Sequence, residues 1–98
     1  MAKKVIWSLQ AEIEFAEILE YWMIRNKSSE YSEKLIGLFT EATELISQFP
    51  EVGQSTDIEN VRHKLVRDYS IFYRLNVETI EVLTIWDNRQ NPDKLKFK

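Results

Sequence analysis

The side chains with the reach to do chemistry gather in the second half of the chain. Arg62, Lys64, Arg67, Arg74 and Arg89 are interleaved there with Tyr69, Tyr73 and Trp86. Arginine and lysine grip phosphates or carboxylates. Aromatic faces stack on bases or fill a partner's pocket. Such a set reads as a solvated sheet face, a surface for an acidic protein partner, or a surface for a nucleic acid. Other chemistries lack their parts. His63 is the one histidine and there is no cysteine, so a transition-metal site has too few ligands and no metal is expected. Two glycines in the whole chain leave no phosphate-cradling loop, and no cofactor is expected. The glutamates fall on helix exteriors, with nothing pairing two of them in a cleft.

The elements that must position these residues follow from periodicity. KVIW (4–7) is β-branched and aromatic, a strand. Ser8 is placed to cap a helix. Leu9, Ile13, Ala16, Leu19 and Met23 recur on one helical face, widened by Phe15, Ile18 and Trp22. RNKSSE (25–30) breaks that pattern, and Ser28 or Ser29 can cap a second helix. Tyr31, Leu35, Leu38, Ala42, Leu45 and Phe49 then form a heptad-like seam. Gly37 would let the two helices approach closely. Pro50 stops the second helix, and 50–57 reads as a loop.

After the loop the period shortens to two. VRHKLV (61–66), SIFYRLNV (70–77) and TIEVLTIW (79–86) read as a meander of strands with tight links. Alternation puts Val61, His63 and Leu65 on one side of the first of them and Arg62, Lys64 and Val66 on the other. His63 is expected to pack toward the helices. Arg62 and Lys64 then lie on the open face, about 7 Å apart by strand geometry. DNRQNPDKLKFK (87–98) reads as a polar tail. The predicted fold is α+β: an N-terminal strand, then an antiparallel helical hairpin on one face of a small, mostly antiparallel sheet, in the order β-α-α-β-β-β.

Bulk properties bound the function. Ninety-eight residues make one domain, 1–98. No apolar run approaches membrane-spanning length and no signal peptide is visible, so a cytoplasmic protein without a membrane partner is expected. The net charge of −3 is uneven. Residues 1–50 hold five Lys/Arg against eight Glu, whereas 51–98 hold eight of each sign. An acidic chain is a poor general binder of nucleic acid, though a local basic patch can still do a focused job.

Several of these stretches together resemble the RelE/ParE superfamily of type II toxin–antitoxin toxins. They are VIWS, QAEIEFAEILEYW, the helix end FPEVG, Arg62 nine residues after Gly53, the D-Y-x-I-F-Y-R run and the closing D-N-R-Q-x-P. The resemblance covers nearly the full length. It implies a small bacterial toxin of a plasmid-stabilisation or addiction system, neutralised by a cognate antitoxin whose tail wraps the toxin. ParE-like members poison DNA gyrase and need no catalytic residues. RelE-like members cut mRNA on the ribosome, and by position Arg62, Lys64 and Arg89 would be the catalytic cations. Ser70 stands where those nucleases often carry arginine, no Tyr or His follows Arg89, and the chain is acidic. The resemblance therefore leans to the ParE side. Arg62, Lys64, Arg67, Tyr73, Arg74, Trp86 and Arg89 are the expected binding residues.

Overall fold

The structure, a computed structural model, describes residues 2–90 and Leu95. In chain order it forms β1 (Lys4–Trp7), α1 (Leu9–Asn26), α2 (Glu30–Gln48), β2 (Gln54–Ser55), β3 (Val61–Val66), β4 (Tyr69–Leu75) and β5 (Thr79–Asp87). The sheet runs β1-β5-β4-β3-β2. β1 lies parallel to β5, with Lys4 opposite Thr79 and Trp7 opposite Val82. The other neighbours are antiparallel. Both helices pack on one face, giving the expected α+β layout. β2 is an addition, two residues paired with β3 inside the segment read as a loop. The predicted polar tail falls mostly on 91–94 and 96–98, which lie outside the described residues. Among the described residues no helix is long and apolar enough to cross a membrane.

Ser8 sets the rotation of α1. Its Oγ accepts from the Ala11 amide at 3.0 Å, as an N-cap should. The same Oγ donates to the Leu83 carbonyl at 2.9 Å, and the Ser8 amide donates to the Val82 carbonyl at 2.9 Å. One residue thus starts the helix and fixes it to β5. That rotation turns Ala11, Phe15, Ile18, Leu19 and Trp22 inward. Leu9, Ile13, Ala16 and Met23, expected in the seam, are exposed. In α2 the buried stripe is Ser32, Leu35, Phe39, Ala42 and Ile46. Leu35 and Ala42 hold their expected place. Phe39 and Ile46 join them at the centre of the stripe, Leu38 packs half-buried against the core, and Leu45 and Phe49 are exposed, Phe49 at 59%. Phe15 meets Phe39 at 4.6 Å between ring centroids, and Ser32 Oγ donates to the Leu19 carbonyl at 2.7 Å. Gly37 faces open space, with nothing near a Cβ built there. It mediates no close helix approach.

The sheet corrects the expected faces of β3. Arg62, Lys64 and Val66 stand opposite Tyr73, Ile71 and Tyr69, and those three partners belong to the core under the helices. Side chains opposite one another share a face. Arg62 and Lys64 are therefore on the helix side, near its margins, and His63 and Leu65 on the open side. His63 stacks on Phe72 there at 5.2 Å. A bulge in β5 adjusts the pairing of the two inner strands: the register shifts between Phe72, opposite Thr84, and Tyr73, opposite Val82. Leu83 is the extra residue, so Val82 and Ile85 both reach the core despite a spacing of three.

Candidate functional site

The seven expected binding residues occupy four separate places. Arg62 and Tyr73 hold the loop after α2. Arg62 Nη1 donates to the Gly53 carbonyl at 2.7 Å and the Glu51 carbonyl at 3.3 Å. Tyr73 is fully buried, against the expectation of a contact surface. Its hydroxyl accepts from the Gly53 amide at 2.9 Å and donates to the Pro50 carbonyl at 2.8 Å. Burial pushes the Tyr73 phenol above its ordinary pKa, partly opposed by the Gly53 amide. A side chain at position 53 would stand 2.5 Å from the Tyr73 oxygen and 2.7 Å from the His63 carbonyl. The glycine of FPEVG is there because the loop is drawn tight onto this tyrosine.

Arg74 lies on the open face and pairs with Glu81 at 3.3 Å. Arg89 and Trp86 border a cleft of about 460 Å³ between α1 and β5, which Glu17, Ile18, Tyr21 and Tyr69 also line. Arg89 is already engaged. Its Nε and Nη2 donate to the two Asp87 carboxylate oxygens at 2.9 and 2.8 Å. This pairing holds the Asp87 carboxyl below its usual range and raises the Arg89 guanidinium still further. The guanidinium also lies 5.8 Å from the Trp22 ring and 6.0 Å from the Tyr69 ring. Trp22 Nε1 donates to the Tyr69 hydroxyl at 2.8 Å. Burial raises the Tyr69 pKa, and the indole bond opposes that rise. Deeper in, Glu14 accepts from the Ile85 amide at 3.0 Å and from Thr84 Oγ1 at 2.6 Å. It satisfies part of the β5 edge beyond the reach of β1.

The remaining two cations, Lys64 and Arg67, share a groove of about 310 Å³ between α2 and β3. Leu38, Ala42 and Leu45 supply its α2 wall, with Glu41 beside them, and Leu65 and Val66 complete the β3 side. Among the described residues, neither cation has an ion pair or side-chain hydrogen bond. Arg67 occupies the β3–β4 turn with φ 56°, a left-handed conformation that any residue but glycine adopts at some cost.

Sequence reading thus found the cations but not their commitments. Trp22 was expected only as core and Glu14 only as helix exterior, and Asp87 was given no role of its own, yet all three shape the α1–β5 cleft. No local spacing connects Trp22 to Tyr69 or Glu14 to Ile85. Lys64 and Arg89 lie on opposite flanks, with two strand spacings, about 10 Å or more of sheet, between them. Ser70 is buried and donates to Asn88 Oδ1 at 3.1 Å.

Comparison with known proteins agrees with this architecture. Residues 5–92 match the family described as ParE toxin of type II toxin-antitoxin system, parDE. A solved structure described as "Chromosomal ParDE TA system from P. aeruginosa" superposes with a TM-score of 0.75 at 17% identity, covering 88% of this chain and 96% of that one. At that identity the likeness concerns the fold. No curated protein sequence matches the chain. The family match spans nearly all of β1 through β5, and on that ground the chain belongs to the ParE toxin family of type II toxin–antitoxin systems.

Proposed function

We propose that this chain arrests growth in the bacterial cytoplasm by binding and inhibiting DNA gyrase, with no chemical step of its own, and that a cognate antitoxin neutralises it. The observation that carries this reading, beside family membership, is the dispersal of the cations. Cutting RNA requires positive charge and proton-moving groups to converge on one phosphate and its 2′-hydroxyl. Arg62 is tied to loop carbonyls, Arg89 to Asp87, and Lys64 stands on the other flank. Ser70 adds no cation beside them. Inhibition by contact needs no such convergence, only surface. The antitoxin half of the proposal draws on the family description and on the ParDE system whose fold this chain shares.

The test is pulse-labelling of new DNA and new protein within minutes of inducing this chain alone, followed by a supercoiling assay with purified gyrase. DNA synthesis is expected to fail first, with supercoiling lost and mRNA intact. Protein synthesis failing first, with mRNA cut, would overturn the gyrase reading in favour of a ribosome-dependent nuclease. No effect on either would leave an antitoxin-binding module without toxicity. Co-expression of the antitoxin is expected to restore growth.

A further inference from the structure

The α1–β5 cleft holds more binding capacity than the fold uses. A guanidinium has five N–H donors, and Arg89 spends two of its own on Asp87, one from Nε and one from Nη2. The second Nη2 hydrogen and both on Nη1 have no partner among the described residues. The same holds for the Trp86 indole N–H on this lip of the cleft. On the α1 lip, the Tyr21 hydroxyl and the exposed Glu17 carboxylate are likewise without a partner among the described residues. Ile18 and Ile85 lie between the two lips. The walls are also fixed from behind. Asp87 holds Arg89 on one side, and the Trp22 and Tyr69 rings lie against it on the other. Trp22 holds the Tyr69 hydroxyl and meets Tyr21 edge-on at 5.1 Å. Glu14 ties α1 to the Ile85 amide.

We infer that this cleft is where the chain grips its target protein, gyrase on the reading above, and that it takes a loop of that protein bearing an apolar side chain. The inference rests on the gyrase reading and names the surface that carries it. Trp, Tyr and Arg are the side chains that dominate the free energy of protein–protein contacts, and they do so from concave, desolvated places. Here Tyr21, Trp86 and Arg89 share one cleft of about 460 Å³. The charge pattern selects the ligand. Arg89 and Trp86 offer donors from one lip, and Glu17 offers an acceptor from the other. A polypeptide loop supplies both complements, carbonyls for the donors and an amide or a cationic side chain for the carboxylate. Its apolar side chain lies against Ile18 and Trp86. DNA and free phosphates fit poorly, because Glu14, Glu17 and Asp87 all line the space and repel a polyanion. Walls already fixed in the free chain suit a loop of a folded partner, since neither side then loses much freedom on contact.

The test uses the full chain with purified gyrase and, separately, with its antitoxin. Tyr21→Ala, Trp86→Ala and Arg89→Lys are each measured for the concentration that halves supercoiling, for antitoxin affinity and for the urea midpoint. Each is expected to inhibit gyrase about tenfold or more weakly, with antitoxin affinity held. Arg89→Lys keeps the charge and loses the fork, so its loss reports the unspent donors and not the cation. Tyr21 is 48% exposed, so Tyr21→Ala keeps the test open if Trp86→Ala fails to fold. A photo-crosslinking residue at position 21 is expected to capture gyrase. Full inhibition by Tyr21→Ala and Arg89→Lys, with no crosslink, overturns the inference and leaves the gyrase reading intact. Equal losses of inhibition and antitoxin affinity in folded variants also overturn it and give the cleft to the antitoxin. An unsubstituted chain that leaves supercoiling untouched overturns both.

Discussion

Tyr73 and Arg62 show how a residue that looks like a contact on paper can be an internal brace. Both are spent on the loop of 50–53, and they hold it differently. The Tyr73 hydroxyl sits in the interior and bridges the Gly53 amide to the Pro50 carbonyl. Tyr73→Phe removes both bonds and strands a buried donor, which costs roughly 1–3 kcal/mol. Arg62 is only partly buried, so water can replace it at the carbonyls, and Arg62→Ala is expected to cost less, about 1 kcal/mol. Urea denaturation of the two variants checks the ranking. A Tyr73→Phe midpoint equal to that of the unsubstituted chain would mean the loop is not held this way. The same ranking bears on activity: any loss of toxicity in Arg62→Ala has to be judged against its stability before Arg62 is given a role at a target.

At the scale of elements, β5 depends on its bulge. Leu83 is the inserted residue that lets Val82 and Ile85 both face the core. Deleting Leu83 restores simple alternation and moves one side of the strand to the wrong face. Either Ile85 and Asp87 or Ile80 and Val82 would then be misplaced. The deletion is expected to abolish cooperative thermal unfolding, and retention of a sharp transition by circular dichroism would contradict the role given to the bulge. The bulge also marks a limit of legibility. Strand and helix positions were readable because KVIW, the Ser8 cap and the two-residue periodicity after Val61 are local signals. The helix seams were misplaced because each helix carries two adjacent apolar stripes. Leu38 and Leu45 are as apolar as Phe39 and Ile46, and only the docking onto the sheet chooses between them. The faces of β3 were reversed for a similar reason. Val61 and Leu65 balance Val66, and the decision lies with Tyr73 and Ile71 on the neighbouring strand. β2, two residues long, has no periodicity to read. For the candidate site, residue types were legible while partners were not, since Arg89 over Trp22 and Lys64 beside Leu45 are products of the tertiary fold.

Across the whole molecule the charge is layered. α1 and α2 hold eight glutamates and two basic residues, a net of −6, which leaves +3 for the rest of the chain. An anionic helical layer and a cationic set mostly engaged in internal contacts make a weak partner for a polyanion. Binding to duplex DNA is expected to be weaker than a Kd of about 10⁻⁴ M at physiological salt. A gel-shift or fluorescence titration showing micromolar binding there would contradict this picture. The connectivity has a further consequence. Among the described residues β5 is the last element in chain order, yet it stands between β1 and β4 and receives Ser8, the cap of α1, and Glu14 from α1 itself. During translation, β1 therefore emerges early and waits for a strand made some seventy-five positions later, Lys4 for Thr79. Until that strand is complete the helices have half a sheet to lie on. A chain interrupted before β5 lacks one wall of the α1–β5 cleft and the strand that ties β1 to the rest of the sheet, so the described fold is completed in a single late step rather than built up evenly along the chain.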